Sequence, residues 1–273
     1  MLITGGAKID NTGAMADSHF YDPTSDAWSA GPSLKQARCA HTSVSTGSSV
    51  LVFGGLTDCS NGGTTGPGLE QLDPPLTAWS IVTAAGAPAP RYNAQTIWTP
   101  SREMLVFAGA AATILTSGAL FNPTTNMWRD ASCSLAACAT TIGTFFTLDT
   151  NTVVTWGGSS QQAGLKFNLT QAVWSTWTIP GGSPPIPAQY AEDATRWFAL
   201  NGNDNIPCPT SVVVHIYDKA QGTWATDNQN APAGLTIYES SPSHLVWTGA
   251  ELFLWSALCD PNGVGGLYQP PAP

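Results

Sequence analysis

The sequence of 273 residues contains 27 Gly, 21 Pro and 11 Trp, whereas charged residues make up only 10 % of it. Frequent turn residues and few charged faces are typical of short strands and argue against a mainly helical protein. The net charge of −9, with nine scattered Lys and Arg residues, argues against nucleic acid and anionic membranes as partners. No apolar run approaches the length of a membrane span.

The stretch FYDPTSDAW at 20–28 is the first copy of a motif that recurs along the chain. In every complete copy an apolar residue precedes Asp or Asn, and a Trp follows that Asp or Asn six positions later. Successive Trp residues are 51, 49, 46 and 50 residues apart, so the repeat period is about fifty residues. The later copies are QLDPPLTAW (71–79), LFNPTTNMW (120–128), KFNLTQAVW (166–174), IYDKAQGTW (216–224) and a partial LYQPPAP (267–273).

Two further columns of similar sequence precede the motif in each unit. One is a short β-prone run that mostly ends in Gly, as in LITGG (2–6), LVFGG (51–55) and LVFAG (105–109). The other lies before that run, as in RCAHTSVSTG (38–47) and RYNAQTIWTP (91–100). Together these columns predict four short strands per unit, which we name a to d from the inner to the outer strand.

These columns resemble the kelch repeat of β-propellers, in particular bacterial kelch-type repeats of the galactose-oxidase-type superfamily. The resemblance covers essentially the whole chain and implies one all-β domain over 1–273, a six-bladed propeller. The Trp residues 28, 79, 128, 174 and 224 are then expected to be buried between blades. The expected blades are approximately 1–34, 35–84, 85–131, 132–181, 182–229 and 230–273.

The repeat predicts an incomplete seam, because the first unit lacks strand a and the sixth unit lacks strand d. Two interpretations remain open. The chain is a piece of a longer secreted or cell-surface parent, or the open blade edge pairs with a second copy to form a homodimer. The start MLITGGAKID has no signal-peptide pattern, so the location of this chain stays unknown.

Acidic residues recur in the predicted b–c loops, which share one face of the ring. Asp10, Asp58, Asp204 and Asp260 come from four such loops, and carboxylates that converge there could hold a divalent cation such as Ca or Zn. Each of these residues is also one that an ordinary turn requires. Asp58, Asp204 and Asp260 are therefore candidate metal ligands with a structural alternative.

The entrances of the inner strands supply the candidate binding face. The resemblance implies that Arg38 and His41, in an Arg-x-x-His pattern, mainly bind loop backbone and pack between blades. Glu192 and Glu239 depart from the repeat pattern, and either could be a general base or a metal ligand if its side chain faces the channel. The other candidate residues of this binding face are Arg91, Tyr92, Asn93, Tyr190 and Tyr238.

Six cysteines permit disulfides but do not require them. Cys133 and Cys138 bracket one d–a connection, and Cys208 and Cys259 lie in b–c loops of neighbouring blades together with Cys59 on the same face. Bridges Cys133–Cys138 and Cys208–Cys259 are expected, and isolated buried thiols are the alternative.

Three functions remain compatible with the sequence. The first is a binding module that takes a small molecule, a glycan or a protein at its loop-rich channel face. The second, by fold analogy alone, is a metal-dependent hydrolase of esters, lactones or phosphotriesters. The third is a structural repeat piece of a larger extracellular protein. G-x-S-x-G, H-E-x-x-H and P-loop motifs are absent, and the ligand set of a copper radical oxidase cannot be placed.

Overall fold

A computed structural model of the chain consists of short antiparallel strands. It describes residues 1–8, 13–59, 64–66, 68–139, 143, 145–157, 160–179, 189–201, 213–227, 244–256 and 264–271. The helical structure in these ranges is the 3-10 turn Ala136–Ala139, and no helix among the described residues is long and apolar enough to cross a membrane.

The first three sheets come from the first half of the chain. The first sheet has three strands and the next two have four. Their strands are β1 (Leu2–Thr4), β2 (Ser18–Asp22), β3 (Ala27–Ala30), β4 (Thr42–Ser45), β5 (Val50–Phe53), β6 (Leu69–Leu72), β7 (Trp79–Val82), β8 (Gln95–Trp98), β9 (Met104–Phe107), β10 (Gly118–Asn122) and β11 (Met127–Asp130).

The other three sheets come from the second half, and the last of them again has only three strands. Their strands are β12 (Phe145–Asp149), β13 (Thr152–Gly157), β14 (Ser160–Asn168), β15 (Val173–Thr178), β16 (Gln189–Glu192), β17 (Arg196–Asn201), β18 (Val213–Asp218), β19 (Thr223–Asp227), β20 (His244–Trp247), β21 (Leu252–Ser256) and β22 (Val264–Tyr268).

The six sheets are the blades of a β-propeller, numbered 1 to 6 in chain order. Within each blade the strands pair antiparallel in sequence order, for example β4-β5-β6-β7. Among the described residues, blade 1 has no inner strand beside β1, and blade 6 has no outer strand beside β22. The structure therefore confirms the predicted six-bladed fold and its incomplete seam.

The repeated motif forms the turn between the third and fourth strand of a blade. In four of the five complete copies the side chain of the Asp or Asn accepts hydrogen bonds from backbone N–H groups two or three residues later. In blade 2 the residues after Asp73 are two prolines, and its carboxylate accepts from Ser49 Oγ and Gln71 Nε2 instead. Asp22 accepts from Thr24 N, and Asn122 accepts from Thr124 N, each at 2.9 Å. These local bonds reverse the chain and place the Trp directly opposite the residue before the Asp or Asn.

The Gly column lets neighbouring blades approach each other closely. Gly5 and Gly54 have positive φ angles of 63° and 68°, and a Cβ on Gly5 would lie 2.7 Å from the carbonyl oxygen of Arg38. The next residue in each pair donates its N–H to the loop that enters the following blade, with Gly6 bound to Arg38 O and Gly55 to Arg91 O, both at 2.8 Å. Glycine is therefore required where two backbones meet.

Buried Trp side chains fill the space between blades. Trp79, Trp128 and Trp174 are at most 6 % exposed, and each packs in a cluster with residues of the preceding blade. The indole N–H of Trp174 donates to Ala131 O at 2.8 Å, in the loop that follows the outer strand of blade 3. Trp224 is half-buried against blade 4. These contacts hold the blades in a ring.

Trp28 does not follow this pattern, because it is 43 % exposed. The prediction that all five Trp residues are buried is therefore wrong at this position. Trp28 faces blade 6, in which the described residues form no outer strand beside β22, and its ring is more exposed than those of the other repeated Trp residues. The ring of Tyr21 packs on Phe253 of blade 6 with centroids 5.6 Å apart, and no hydrogen bonds within the described part of the chain close the ring.

Two disulfides lie among the described residues. Cys133 and Cys138 form the bridge expected from the sequence, within the loop between blades 3 and 4. Cys39 is bonded to Cys59, a pair that the sequence did not indicate, and this bridge ties the entrance of blade 2 to the b–c loop of the same blade. Cys208 and Cys259 lie outside the described residues.

Removing the Cys39–Cys59 bridge is expected to destabilise the protein more than removing the Cys133–Cys138 bridge. Their sequence separations are 20 and 5 residues, which correspond to losses of about 3 and about 2 kcal/mol in the chain-entropy model. Urea unfolding of the C39A/C59A and C133A/C138A double variants at equal pH measures both values. Equal losses would contradict the loop-length argument.

Candidate ligand site in the central channel

The inner strands of four consecutive blades border a cavity of about 280 Å³ at the centre of the ring. Blades 2, 3, 4 and 5 contribute through β4, β8, β12 and β16. Aromatic and aliphatic side chains dominate its wall, and polar groups come from Ser45, Glu192 and the phenol of Tyr190. The other lining residues are Val44, Ile97, Trp98, Phe145, Phe146 and Ala191. A mostly apolar wall with few polar groups is typical of small-molecule sites.

Glu192 lies at the edge of this cavity, at the end of β16 that leads into the turn before β17. Its carboxylate accepts hydrogen bonds from the backbone N–H and the hydroxyl of Thr147 in blade 4, the latter at 2.8 Å. Lys219 Nζ lies 3.2 Å from Glu192 Oε2. This predicted candidate base is therefore held by three donors and joins blade 4 to blade 5.

Tyr190 is the second predicted residue that reaches the cavity. Its ring packs edge-on against Phe146 with centroids 5.2 Å apart. Burial raises the pKa of Tyr190 above its ordinary value, so its phenol stays neutral. A neutral phenol can donate or accept a hydrogen bond and does not add negative charge to the wall.

Arg38 is fully buried and binds structural groups. Its guanidinium donates to the carbonyl oxygens of Gly54 and Gly68 at 3.0 and 3.1 Å, and it forms an ion pair with Glu70. The Glu70 carboxylate also accepts two backbone N–H groups, that of Lys35 at Oε2 and that of Gln36 at Oε1, the oxygen that pairs with Arg38. Burial lowers the pKa of Arg38, against the opposing effect of Glu70.

Arg91 repeats this arrangement in blade 3 with a different set of acceptors. It is 1 % exposed and donates to Ala89 O, Ala108 O and Ser117 O at 2.7 to 3.0 Å. Its NH2 group also donates to the Ser117 hydroxyl. Arg38 and Arg91 were both predicted for the binding face. Both are buried and donate hydrogen bonds to backbone carbonyl groups, so they stabilise the loops and do not present their charges to solvent.

The other three described residues of the predicted binding face lie in the loops that enter β4 and β8. His41 is half-buried, and its imidazole lies beside Gly5 of blade 1, so it packs between two blades. Tyr92 exchanges backbone hydrogen bonds with Ala110 at 2.9 Å. Asn93 is exposed and has a φ angle of 51°, a conformation that Asn tolerates better than most residues. Of these three, Asn93 offers its side chain to solvent.

Five of the predicted site residues fall outside the part of the chain that the structure describes. Glu239, Tyr238, Asp10, Asp204 and Asp260 lie outside the described residues. Asp58 is described and exposed. Within the described ranges no group of three or more His, Cys, Asp or Glu side chains could hold a metal ion. The predicted metal site therefore stays a prediction.

Three features of the site were not predicted from the sequence. Glu70 is a lone acidic residue in the short strand LEQL, and nothing in that pattern marks it as the partner of Arg38. Cys39 was not assigned a partner. Ser45 and Trp98 line the cavity at equivalent register positions of neighbouring blades, which an alignment of the inner strands alone could have indicated.

Comparison with known proteins gives no assignment: no protein-family model matches the sequence, and no curated protein matches it at a significant level.

Proposed function

We propose that the chain is a kelch-type propeller that acts as a binding module, with the central cavity as its ligand site. The cavity observation carries this proposal, because four blades converge on one space with an aromatic wall and a fixed carboxylate. Its volume of about 280 Å³ is close to the lower end of small-molecule sites, about 300 Å³. This size suits a ligand with a single ring.

The chemistry of the wall favours a neutral sugar ring. Trp98, Phe145 and Tyr190 give the wall an aromatic character that suits the apolar side of such a ring, and Ser45 and Glu192 offer hydrogen-bonding groups to hydroxyls. The net charge of −9 disfavours anionic ligands. Glu192 is already bound by Thr147 and Lys219, which suits a fixed hydrogen-bond acceptor better than a residue that exchanges protons during catalysis.

Titration with glucose, galactose and N-acetylglucosamine, followed by ligand-observed NMR, tests this function. We expect at least one sugar to bind and S45L to weaken that binding at least tenfold by filling the cavity. Ser43→Leu is the matched control, because Ser43 lies two residues away on β4, is also exposed, and does not line the cavity.

Two results would contradict the proposal. One is the absence of binding for all three sugars at millimolar concentration, and the other is equal binding by the S45L and S43L variants. Turnover of an ester, lactone or phosphotriester that a chelator abolishes would instead support the metal-dependent hydrolase.

A further inference from the structure

The blade 1 side of the seam exposes a residue whose equivalents in blades 2 to 5 are buried. Ile3 in β1 pairs with His19 in β2. His19 lies two residues before Tyr21, which stands opposite Trp28, the repeated Trp of this blade. The residues at this position in blades 2 to 5 are fully buried, at 0 %, whereas Ile3 is 36 % exposed. These equivalents are Val52, Val106, Thr155 and Ala199. The exposure therefore belongs to the seam and not to the strand position.

The blade 6 side of the seam shows the same effect. Leu267 in β22 and Val246 in β20 are 50 % and 39 % exposed, and both flank Phe253, which contacts blade 1. Trp28 lies across from them at 43 % exposure. Ile3, Trp28, Val246 and Leu267 form one apolar surface on the two sides of the seam, which we call the seam surface.

Two strand edges border the seam surface. Among the described residues β22 pairs only with β21, and β1 pairs only with β2. The free edge of β22 is on the outside of the ring, at the position that β7 occupies in blade 2. The free edge of β1 is on the inside, at the position that β4 occupies in blade 2. A strand can be added at each edge.

The other five junctions show what covers these positions. At each of them one continuous segment forms the outer strand of one blade and the inner strand of the next, as β3 and β4 do over 27–45. The backbone just after that outer strand also covers the next Trp. Pro32 O accepts the Trp79 indole N–H at 3.0 Å, and Ala85 O accepts the Trp128 backbone N–H at 3.0 Å. Only the seam lacks such a segment among the described residues.

We propose that the seam binds an extended polypeptide segment of roughly twenty residues that adds one strand to β22 and one to β1. Its first strand places a Trp opposite Tyr268, as Trp224 stands opposite Tyr217 and Trp174 opposite Phe167. Its turn then covers Trp28, and its second strand pairs with β1 inside the ring. The acidic charge of the protein favours a neutral or basic segment.

A second copy of the chain fits the seam less well. The described outer strands of a second copy are already paired within their own blades. Such a copy could therefore reach the edge of β22 only as a folded body, from outside the ring. The edge of β1 is the innermost described edge of blade 1, so a strand that pairs with it must lie inside the ring, as β4 does in blade 2. Both edges are satisfied together only by a flexible segment that enters the ring.

The chain itself provides the sequence of a test probe. The peptide WSIVTAAGAPAPRYNAQTIW corresponds to 79–98 and forms the junction between blades 2 and 3. With a fluorescent label, we expect this peptide to bind the full chain one to one with a micromolar Kd, measured by fluorescence anisotropy. A scrambled peptide and a W79A peptide are expected to bind at least tenfold more weakly.

Variants of the protein locate the binding. Leu267→Lys is expected to weaken the labelled peptide at least tenfold. Val173→Lys is the matched control, because Val173 is 53 % exposed on an outer strand away from the seam, and its binding should be unchanged. Hydrogen exchange should slow at the amides of β1 and β22 when the peptide binds.

Three outcomes would overturn the proposal. The first is no binding of the peptide at 100 µM, and the second is equal binding of the scrambled peptide. The third is a concentration-dependent dimer, seen by light scattering, that L267K disrupts, because the seam would then belong to a second copy. None of these outcomes depends on sugar binding in the cavity, so this proposal and the proposed function fail separately.

Discussion

Trp174→Ala is expected to lower the free energy of unfolding by about 3–5 kcal/mol, whereas Trp28→Ala is expected to lower it by less than about 1 kcal/mol. The two residues occupy the same position of the repeat. Trp174 is 6 % exposed, its ring stacks against Phe107 and Phe167 at 4.3 and 4.8 Å, and its indole donates to Ala131 O. Trp28 is 43 % exposed at the seam. The difference between the two losses in unfolding free energy therefore measures burial between blades, because the residue type and the repeat position are the same.

Guanidinium unfolding followed by far-ultraviolet circular dichroism measures both losses without depending on Trp emission. Trp174→Phe separates the two contributions at this site, because it keeps an aromatic ring and loses the hydrogen bond to Ala131 O. We expect its loss to be smaller than that of W174A. Similar losses for W174A and W28A would contradict the assignment of Trp28 to an open seam.

The fold could be predicted because the repeated residues are required by local structure, either by a turn or by a close approach of two backbones. In four blades the Asp or Asn before the c–d turn makes a side-chain hydrogen bond to the backbone, as Asp22 and Asn122 show. Gly5 and Gly54 are needed where the carbonyl groups of a neighbouring loop approach. Such requirements recur along the chain, so they are visible as columns in the sequence and also give the strand count at the seam.

The exposure of Trp28 could not be read from those columns, because its motif is as complete as that of Trp174. Burial at this position depends on the preceding blade and not on the motif itself. For Trp28 the preceding blade is blade 6, which lies at the other end of the sequence. A prediction that treats each repeat alone therefore misses the one junction where the covering strand is absent from the described chain.

The site was harder to predict than the fold, because its residues differ from blade to blade. Ser45, Trp98 and Glu192 occupy the same register position of three inner strands, yet they share no chemistry. Their common feature is that they border the same cavity: an alignment of the inner strands indicates their equivalent register, whereas the cavity itself follows from the ring geometry. The sequence marked Glu192 for its charge, but it could not show that Thr147 of the neighbouring blade binds the carboxylate.

The buried pair Arg38–Glu70 illustrates the same difficulty and supports the second large prediction. Arg38→Met is expected to lower the free energy of unfolding by about 3–5 kcal/mol, because it leaves the Glu70 carboxylate buried without its counter-ion. Glu70 is 1 % exposed, and the carbonyl groups of Gly54 and Gly68 also lose the hydrogen bonds that the Arg38 guanidinium donates to them. Urea unfolding at neutral pH measures this loss.

Blade 3 indicates how the pair should respond when both members change. Ala119 occupies the register position of Glu70, and Arg91 is buried there on backbone carbonyls and Ser117. A guanidinium in this position therefore does not require a carboxylate, so E70A should cost less than R38M. The double variant R38M/E70A should also be more stable than R38M alone, because no buried carboxylate remains unpaired. Strictly additive losses in this cycle would show that Arg38 and Glu70 do not stabilise each other, and that the backbone carbonyls alone hold Arg38 in place.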